Sequence, residues 1–103
     1  MRVLTDALPA LVAEVGADLR YRFVNAKYQA LFGLPPEAIV GKHPRDLLGE
    51  SAWAQVGPHL QRALEGHPQH FDLTLGDGTV LEAVYEPLPS DASVLVLGHF
   101  FQH

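Results

Sequence analysis

The feature of this sequence that most constrains its fold is a run of three short helical turns between Asn25 and Gly49. A strand-like alternation over residues 20–25 stops at Asn25, and helical spacing of apolar residues replaces it. Asn25 is predicted to cap the first turn, because its side-chain oxygen can accept from free backbone N–H groups. Gly33, Gly41 and Gly49 close the three turns. The layout predicts a compact set of short helices that follows a strand directly.

Alternating patterns predict two strands before the helical turns and three after them. In the second strand, Tyr21 and Phe23 are expected on one face, because successive side chains of a strand point to opposite faces. Gly76-Asp77-Gly78 supplies a tight hairpin turn, since Asp-Gly tolerates positive φ. The predicted strands cover residues 11–17, 20–25, 70–75, 79–86 and about 93–102.

The longest predicted helix covers residues 51–65, where apolar residues recur at spacings of three and four. Ser51 is predicted as its N-cap. Pro58 has no N–H, so it should either kink this helix or start its main part after Gly57. Helices between the second and third strands predict an α+β fold, in which a five-stranded antiparallel sheet carries the helical insert on one face.

The length of 103 residues matches one domain, residues 1–103, with residues 1–10 as an N-terminal flanking segment. At 48% hydrophobic and 18% charged residues, the chain can bury one core. The longest apolar run, residues 93–98, is far short of the roughly 20 residues of a spanning helix. No membrane insertion is expected, and no signal peptide is visible in residues 1–10. The cytoplasm is the expected compartment.

Charge and cysteine usage exclude several classes of function. A formal net charge of -5 argues against nucleic acid as a partner. Cysteine is absent, which excludes disulfides, thiolate metal sites and cysteine nucleophiles. No serine elbow, Walker loop or dinucleotide fingerprint occurs, so no catalytic residue is predicted. His67 and His70 lack a third ligand at helical spacing, and Pro68 breaks the helix that would join them, so no metal site is predicted.

The segment from Arg20 to Glu50 resembles the central part of PAS domains of bacterial sensor histidine kinases and chemotaxis proteins. The run from Pro58 to Gly66 also resembles the end of the long PAS helix, so the resemblance covers nearly the whole chain. The matching elements are Asn25-Ala26, Leu31-Phe32-Gly33, Pro36-Glu37 and Ile39 to Lys42. The resemblance implies the PAS fold and a part in signal transduction, as in two-component systems, without catalysis.

The resemblance implies a sensory domain that binds a small ligand or a partner protein and relays a conformational signal. A kinase or other signalling output domain, in the same or another chain, is the implied partner. A homodimer is expected, formed through the N-terminal segment and the sheet surface, with Leu4, Leu8 and Leu11 as an apolar stripe. Residues 99–103 lack the Asp-Ile-Thr ending of many PAS domains, which leaves the output route open.

Two alternatives stay open at this point. One is a PAS module with a filled core that acts only in protein interaction or dimerisation. The other is a small α+β cone-type enzyme, such as an isomerase or hydrolase. Such enzymes place a long helix before the sheet and a buried acid–base pair within it, and the sequence shows neither feature.

In PAS domains the cavity lies between the inner face of the sheet and the helical insert, which suggests where a ligand would bind. His59 and Tyr85 are the polar groups to test first for contact with a ligand, although the candidate pocket residues also suit a plain core. The candidate pocket residues are Phe23, Trp53, Val56, His59, Leu60, Phe71, Leu73 and Tyr85.

The cofactor is left unknown by the sequence. PAS domains with a flavin photoadduct or a thioester-linked chromophore need a cysteine, so both chemistries are excluded. Haem-binding PAS domains use a histidine on the long helix. Alignment places that position near Val56 rather than at His59, and valine cannot ligate iron, so haem is not expected.

Overall fold

The computed structural model describes residues 10–100, and the predicted order of elements is confirmed there. The strands are β1 (Leu11–Gly16), β2 (Tyr21–Val24), β3 (Gln69–Thr74), β4 (Val80–Leu88) and β5 (Ser93–Phe100). The helices between β2 and β3 are α1 (Lys27–Phe32), α2 (Pro36–Ile39), α3 (Pro44–Leu48) and α4 (Glu50–Leu64). A short 3₁₀ turn, Pro89–Asp91, joins β4 to β5. The expected N-terminal element with Leu4 and Leu8, and the expected end of β5, lie outside the described residues.

The described strands form one antiparallel sheet in the order β2-β1-β5-β4-β3, which confirms the five-stranded sheet. The last strand along the chain therefore lies in the middle of the sheet. It pairs with β1 on one side, where Ala13 lies beside Val96, and with β4 on the other, where Tyr85 lies beside Val96. Within this sheet, the β1–β2 hairpin and the β3–β4 hairpin are joined only through β5.

The helices cover the inner face of the sheet, and the core lies between the two layers. Helix α4 packs against β3, β4 and β5. Its apolar stripe is buried, with Val56 and Leu60 each 1% exposed. Ile39 of α2 and Val94 of β5 are fully buried in the same core. None of the helices in residues 10–100 is long and apolar enough to cross a membrane.

Two of the three predicted closures of the short helices are confirmed, whereas α2 has Val40 rather than Gly41 at its C-cap. Gly33 ends α1 at φ 75° and Gly49 ends α3 at φ 88°, both in the region that side chains with a Cβ rarely adopt. Gly49 is also the N-cap of α4, which begins at Glu50, so the prediction of Ser51 as N-cap is wrong. Helix α4 continues through Pro58 to Leu64, so its main part does not start after Gly57.

The predicted N-cap role of Asn25 is also wrong. The N-cap position of α1 is Ala26, which makes no side-chain capping bond. The Asn25 side chain is fully buried and bonds to the chain around the start of β1. Its Oδ1 accepts from the Val12 N–H at 3.2 Å, and its Nδ2 donates to the Ala10 carbonyl at 2.9 Å. Asn25 therefore ties the end of β2 to β1.

Tyr21 and Phe23 do not share a face, contrary to the alternation prediction. The register of β2 against β1 shifts between Glu14 and Val15, so Tyr21 pairs with Val15 while Phe23 pairs with Glu14. Such a bulge inserts one extra residue and reverses the alternation beyond it. Tyr21 therefore belongs to the buried core, and Phe23 does not.

Candidate ligand cavity

A cavity of about 30 Å³ lies between the inner face of the sheet and helices α1 and α3. By volume it has room for one or two water molecules. Its lining carries no charged side chain among the described residues. The lining residues are Leu11, Tyr21, Tyr28, Phe32, Leu48, Leu73, Leu81, Ala83, Tyr85 and Val96.

Three tyrosines from three different elements meet at this cavity. Tyr21 comes from β2, Tyr28 from α1 and Tyr85 from β4, and each is at most 5% exposed. The rings of Tyr21 and Tyr28 meet edge to face with centroids 6.0 Å apart. The tyrosines thus give an otherwise apolar cavity its polar side chains.

Local structure fixes where these rings lie. The chain at the end of α2 pairs with the free edge of β2, since the Tyr21 N–H donates to the Lys42 carbonyl at 3.0 Å and the Gly41 N–H donates to the Tyr21 carbonyl at 2.8 Å. The Tyr28 N–H donates to the Asn25 carbonyl at 3.2 Å. The Asn25 amide in turn is held by β1. The helical insert is therefore fastened to the sheet at both sides of the cavity.

The three phenol hydroxyls form no hydrogen bond with any described residue. No polar side-chain atom of the described residues is both sealed off and unbonded, so these oxygens border open space, and the three side chains line the cavity. Burial raises the pKa of Tyr21, Tyr28 and Tyr85 above that of an exposed phenol. The neighbouring phenols Tyr21 and Tyr85 raise the pKa of Tyr28 further.

A groove of about 170 Å³ lies on the outer side of the cavity wall. Phe32 and Leu48 line both spaces and separate them. The Phe32 ring also stacks on Tyr28, with centroids 5.7 Å apart. The remaining groove residues are Leu31, Leu47, Leu75, Gly76 and Asp77. The cavity and the groove therefore meet at Phe32 of α1 and Leu48 of α3.

An aromatic stack leads from the cavity wall to α4. Tyr85 stands at the end of the stack that lines the cavity. Its ring meets the Phe71 ring in a T-shaped contact, with centroids 5.0 Å apart. Phe71 lies flat against His59 of α4, with centroids 3.8 Å apart and 6° between the planes. His59 Nδ1 donates to the Gln69 side-chain oxygen at 2.8 Å, because the Gln69 amide nitrogen is turned to the carbonyls of His67 and Pro68.

Comparison with known proteins decides the family. The family model described as the PAS fold matches residues 5–100. The chain belongs to the PAS family. The resemblance found in the segment from Arg20 to Glu50 is thereby confirmed. No curated protein matches the sequence significantly.

Solved PAS-type structures share the fold of this PAS domain at low sequence identity. A domain of an HTR-like protein from Haloarcula marismortui has a TM-score of 0.79 and 16% identity, over 92% of this chain and 100% of that one. The photoactive yellow protein domain of the sensor histidine kinase Ppr from Rhodospirillum centenum has a TM-score of 0.78 and 16% identity, over 96% and 92%. The PAS domain of nitrogen regulation protein NR(II) from Vibrio parahaemolyticus has a TM-score of 0.75 and 18% identity, over 97% and 96%.

Six of the eight predicted pocket residues occupy three different settings in this PAS domain. Leu73 and Tyr85 line the cavity. Val56 and Leu60 of α4 are buried in the core, and His59 and Phe71 form the stack behind Tyr85. None of these four lines the cavity directly.

Trp53 and Phe23 lie farther from the cavity lining. The Trp53 ring packs against the core and meets His43 edge to face at 4.6 Å. His43 Nδ1 accepts from the Arg45 N–H at 3.0 Å and so caps α3. Phe23 lies at a surface groove with Pro36 and Val40. The register shift in β2 is the reason that Phe23 is not beside Tyr21.

Sequence reasoning missed Tyr21 and Tyr28 as site residues, although both stood out as members of apolar faces. A usable signal was present, since a tyrosine on a core-facing position has to place a polar hydroxyl somewhere. Phe32 and Leu48 were missed as well, because their place depends on how α1 packs beside α3. The Leu11 side chain, predicted as part of an N-terminal stripe, instead lines the cavity from β1.

The histidines pointed out in the sequence do not gather into a metal site within residues 10–100. No group of three or more histidine, aspartate or glutamate side chains suited to a metal ion occurs there. His70 Nε2 lies 2.6 Å from Glu82 Oε2 on the exposed side of the sheet. His67 is exposed, and its carbonyl accepts from Gln69.

Proposed function

We propose that this PAS domain is the sensory module of a signalling protein, which binds a small ligand in the cavity and relays a conformational change. The observation that carries the proposal is the position of Tyr85, which lines the cavity and also contacts Phe71. Phe71 in turn stacks on His59 of α4. A ligand that moves the Tyr85 ring therefore changes how α4 packs on β3, and it favours whichever of two packings it binds more tightly.

The output partner we propose is a kinase or another signalling domain, in the same chain or a separate one. One structural relative belongs to a sensor histidine kinase and another to a nitrogen regulation protein, which supports this choice. We assign the domain a cytoplasmic location and no catalytic step. We also propose that residues 1–103 act as one PAS domain.

A homodimer formed through the outer face of the sheet is part of the proposal. Val12, Leu97 and Val84 lie side by side across β1, β5 and β4, on the face opposite the helices. Leu97 and Val84 are partly exposed. An apolar row across the central strands suits contact with a second sheet better than contact with water.

The second candidate function is a ligand-free interaction module. The small size of the cavity favours it, because about 30 Å³ holds no more than water unless the walls move. The cone-type enzyme is disfavoured, since the described helices follow β2 rather than precede the sheet.

The test is native mass spectrometry of freshly purified protein, with an absorbance spectrum of the same sample. We expect a bound small molecule that is released on denaturation, and a dimer mass. Ala83→Val, which adds two carbons at the cavity wall, should remove the bound molecule. Thr74→Val, an exposed position on β3, is the matched control and should keep it.

Amide hydrogen exchange of loaded and stripped protein then tests the relay. Slower exchange along α4 in the loaded form is expected, because the stack from Tyr85 to His59 reaches that helix. A native mass without any guest, in wild type as in Ala83→Val, would instead support the ligand-free interaction module.

A further inference from the structure

The polar side chains that line the cavity are three tyrosines. Tyr21, Tyr28 and Tyr85 are at least 95% buried, and their hydroxyls make no hydrogen bond within the described part of the chain. No polar side-chain atom of the described residues is both sealed off and unbonded, so these hydroxyls meet open space, where water or a ligand completes their hydrogen bonds.

Elsewhere in the same core, a buried polar side chain is fully bonded. The Asn25 amide, completely buried, donates to the Ala10 carbonyl and accepts from the Val12 N–H. The core of this domain thus can satisfy a buried polar group where the group serves the fold. The tyrosine hydroxyls have no such partner in the described part of the protein, so whatever occupies the cavity, water or ligand, supplies it.

The electrostatics of the cavity restrict what the guest can be. None of the lining side chains is charged, so a carboxylate or ammonium would lose its hydration without gaining a counter-ion there. The phenols themselves stay protonated at neutral pH, because burial raises the pKa of each. A protonated phenol donates a hydrogen bond, so the complementary group is an uncharged acceptor.

The walls indicate how a guest larger than water fits. Phe32 and Leu48 separate the cavity from the groove of about 170 Å³ beside it. The Phe32 side chain has no polar atom, so a rotation that opened this wall would break no side-chain hydrogen bond. A guest can then place its acceptor among the phenols and its apolar body between α1 and α3.

We infer that the cavity binds a small uncharged molecule that carries a hydrogen-bond acceptor such as a carbonyl, held by the hydroxyls of Tyr21, Tyr28 and Tyr85 and entering past Phe32 and Leu48. The inference rests on the proposed function, since it names the class of ligand for the same cavity. It adds that the phenols, rather than the apolar lining alone, select the ligand.

The test compares three probes of similar shape on the full chain: cyclohexanone, methylenecyclohexane and cyclohexanecarboxylate. Binding is followed through the backbone amide signals of the three tyrosines in NMR titrations. We expect saturable shifts with cyclohexanone at an affinity about tenfold or more above that of methylenecyclohexane, the value of one good hydrogen bond. Cyclohexanecarboxylate should give no saturable shift.

Variants separate the phenols from the apolar lining. The variant with Tyr21→Phe, Tyr28→Phe and Tyr85→Phe should bind the ketone and the alkene equally well. If the triple variant does not fold, the three single variants are tested instead. Each should then lose part of the preference for the ketone over the alkene. Phe32→Ala should speed the exchange of cyclohexanone, whereas Phe23→Ala, at a separate surface groove, should not.

The outcomes distinguish failure of this inference from failure of the proposed function. Equal binding of ketone and alkene to wild type overturns the role of the phenols but leaves a ligand cavity in place. Preferred binding of the carboxylate overturns the class of ligand. Failure of all three probes to bind, together with a guest-free native mass, overturns the inference and the sensory proposal alike.

Discussion

A phenol that is buried in apolar surroundings holds its proton more tightly than a phenol in water, because the phenolate would lose its hydration. The chain contains three tyrosines, and all three line the cavity. Their ionisation therefore reports on the cavity without interference from any exposed phenol.

We predict that the native protein shows no tyrosinate absorbance as the pH rises through about 10, the pKa of a free phenol. The folded pKa of each phenol is raised, so their contribution to stability is complete below about pH 10 and is lost as the pH rises further. Tyrosinate should appear only together with unfolding, followed by the fluorescence of Trp53.

The variant in which all three tyrosines are phenylalanine is the control for this titration. It has no phenol to ionise, so its unfolding should move to higher pH. Because no hydrogen bond is lost, its free energy of unfolding at pH 7 should equal or exceed that of wild type. Reversible formation of tyrosinate in the folded wild type near pH 10 would contradict the burial of these groups.

At the scale of the elements, the short helices are defined by where they stop. Gly49 has φ 88° and ψ 168°, in a region of backbone space that is essentially restricted to glycine. The same residue ends α3 and precedes α4, so one unusual backbone conformation sets the angle between two helices. The position of Leu48 at the cavity wall depends on that angle.

We predict that Gly49→Ala lowers the free energy of unfolding by about 1–3 kcal/mol, the cost of holding alanine in that conformation. Urea denaturation measures the change. Gly76→Ala is the matched control, because no atom lies within 4 Å of an added Cβ there and its φ is not in the left-handed region. A similar loss at both positions would show that conformation is not the cause.

The kind and order of these elements could be predicted from the sequence, because they depend on local patterns such as alternation and glycine stops. The exact ends of the elements were harder to predict. Asn25 looks like a helix cap in sequence, and only the tertiary structure shows its amide bonded to the chain at residues 10 and 12. A one-residue bulge in β2, which no pattern marks, moved Phe23 off the face of Tyr21.

The candidate site was predicted in part for a similar reason. Leu73 and Tyr85 could be assigned to the inner face by alternation along one hairpin, and they line the cavity. The meeting of Tyr21, Tyr28 and Tyr85 depends on packing among β2, α1 and β4, which are far apart in sequence. His59 was predicted as a polar contact of the ligand. In the structure it stacks on Phe71, and Phe71 in turn contacts Tyr85 at the cavity.

For the molecule as a whole, β5 determines whether there is one sheet or two separate hairpins. The β1–β2 and β3–β4 hairpins are joined in the sheet through β5 alone. Ladders between sequence-distant strands, such as Ala13 beside Val96, form late because a long loop must close first. An isolated hairpin is marginally stable at best.

We predict that a fragment of residues 1–92 does not fold and that a peptide of residues 93–103 restores the fold when added. Refolding is measured by recovery of the β-sheet signal in circular dichroism and of native Trp53 fluorescence. A peptide with Val94→Asp should fail, because Val94 is fully buried in the core. A fragment that folds without the peptide would show that the two hairpins associate through the helices instead.

The central place of β5 also matters during synthesis. A ribosome releases the chain at about 5–20 residues per second, and the strand that completes the sheet is the last described element to emerge. Until β5 emerges, the two earlier hairpins lack the strand that joins their apolar inner faces into one sheet. Val96 of β5 is one wall of the cavity, so the nascent chain has no finished cavity until then. The cavity proposed to hold a ligand is therefore complete only after β5 has joined the sheet.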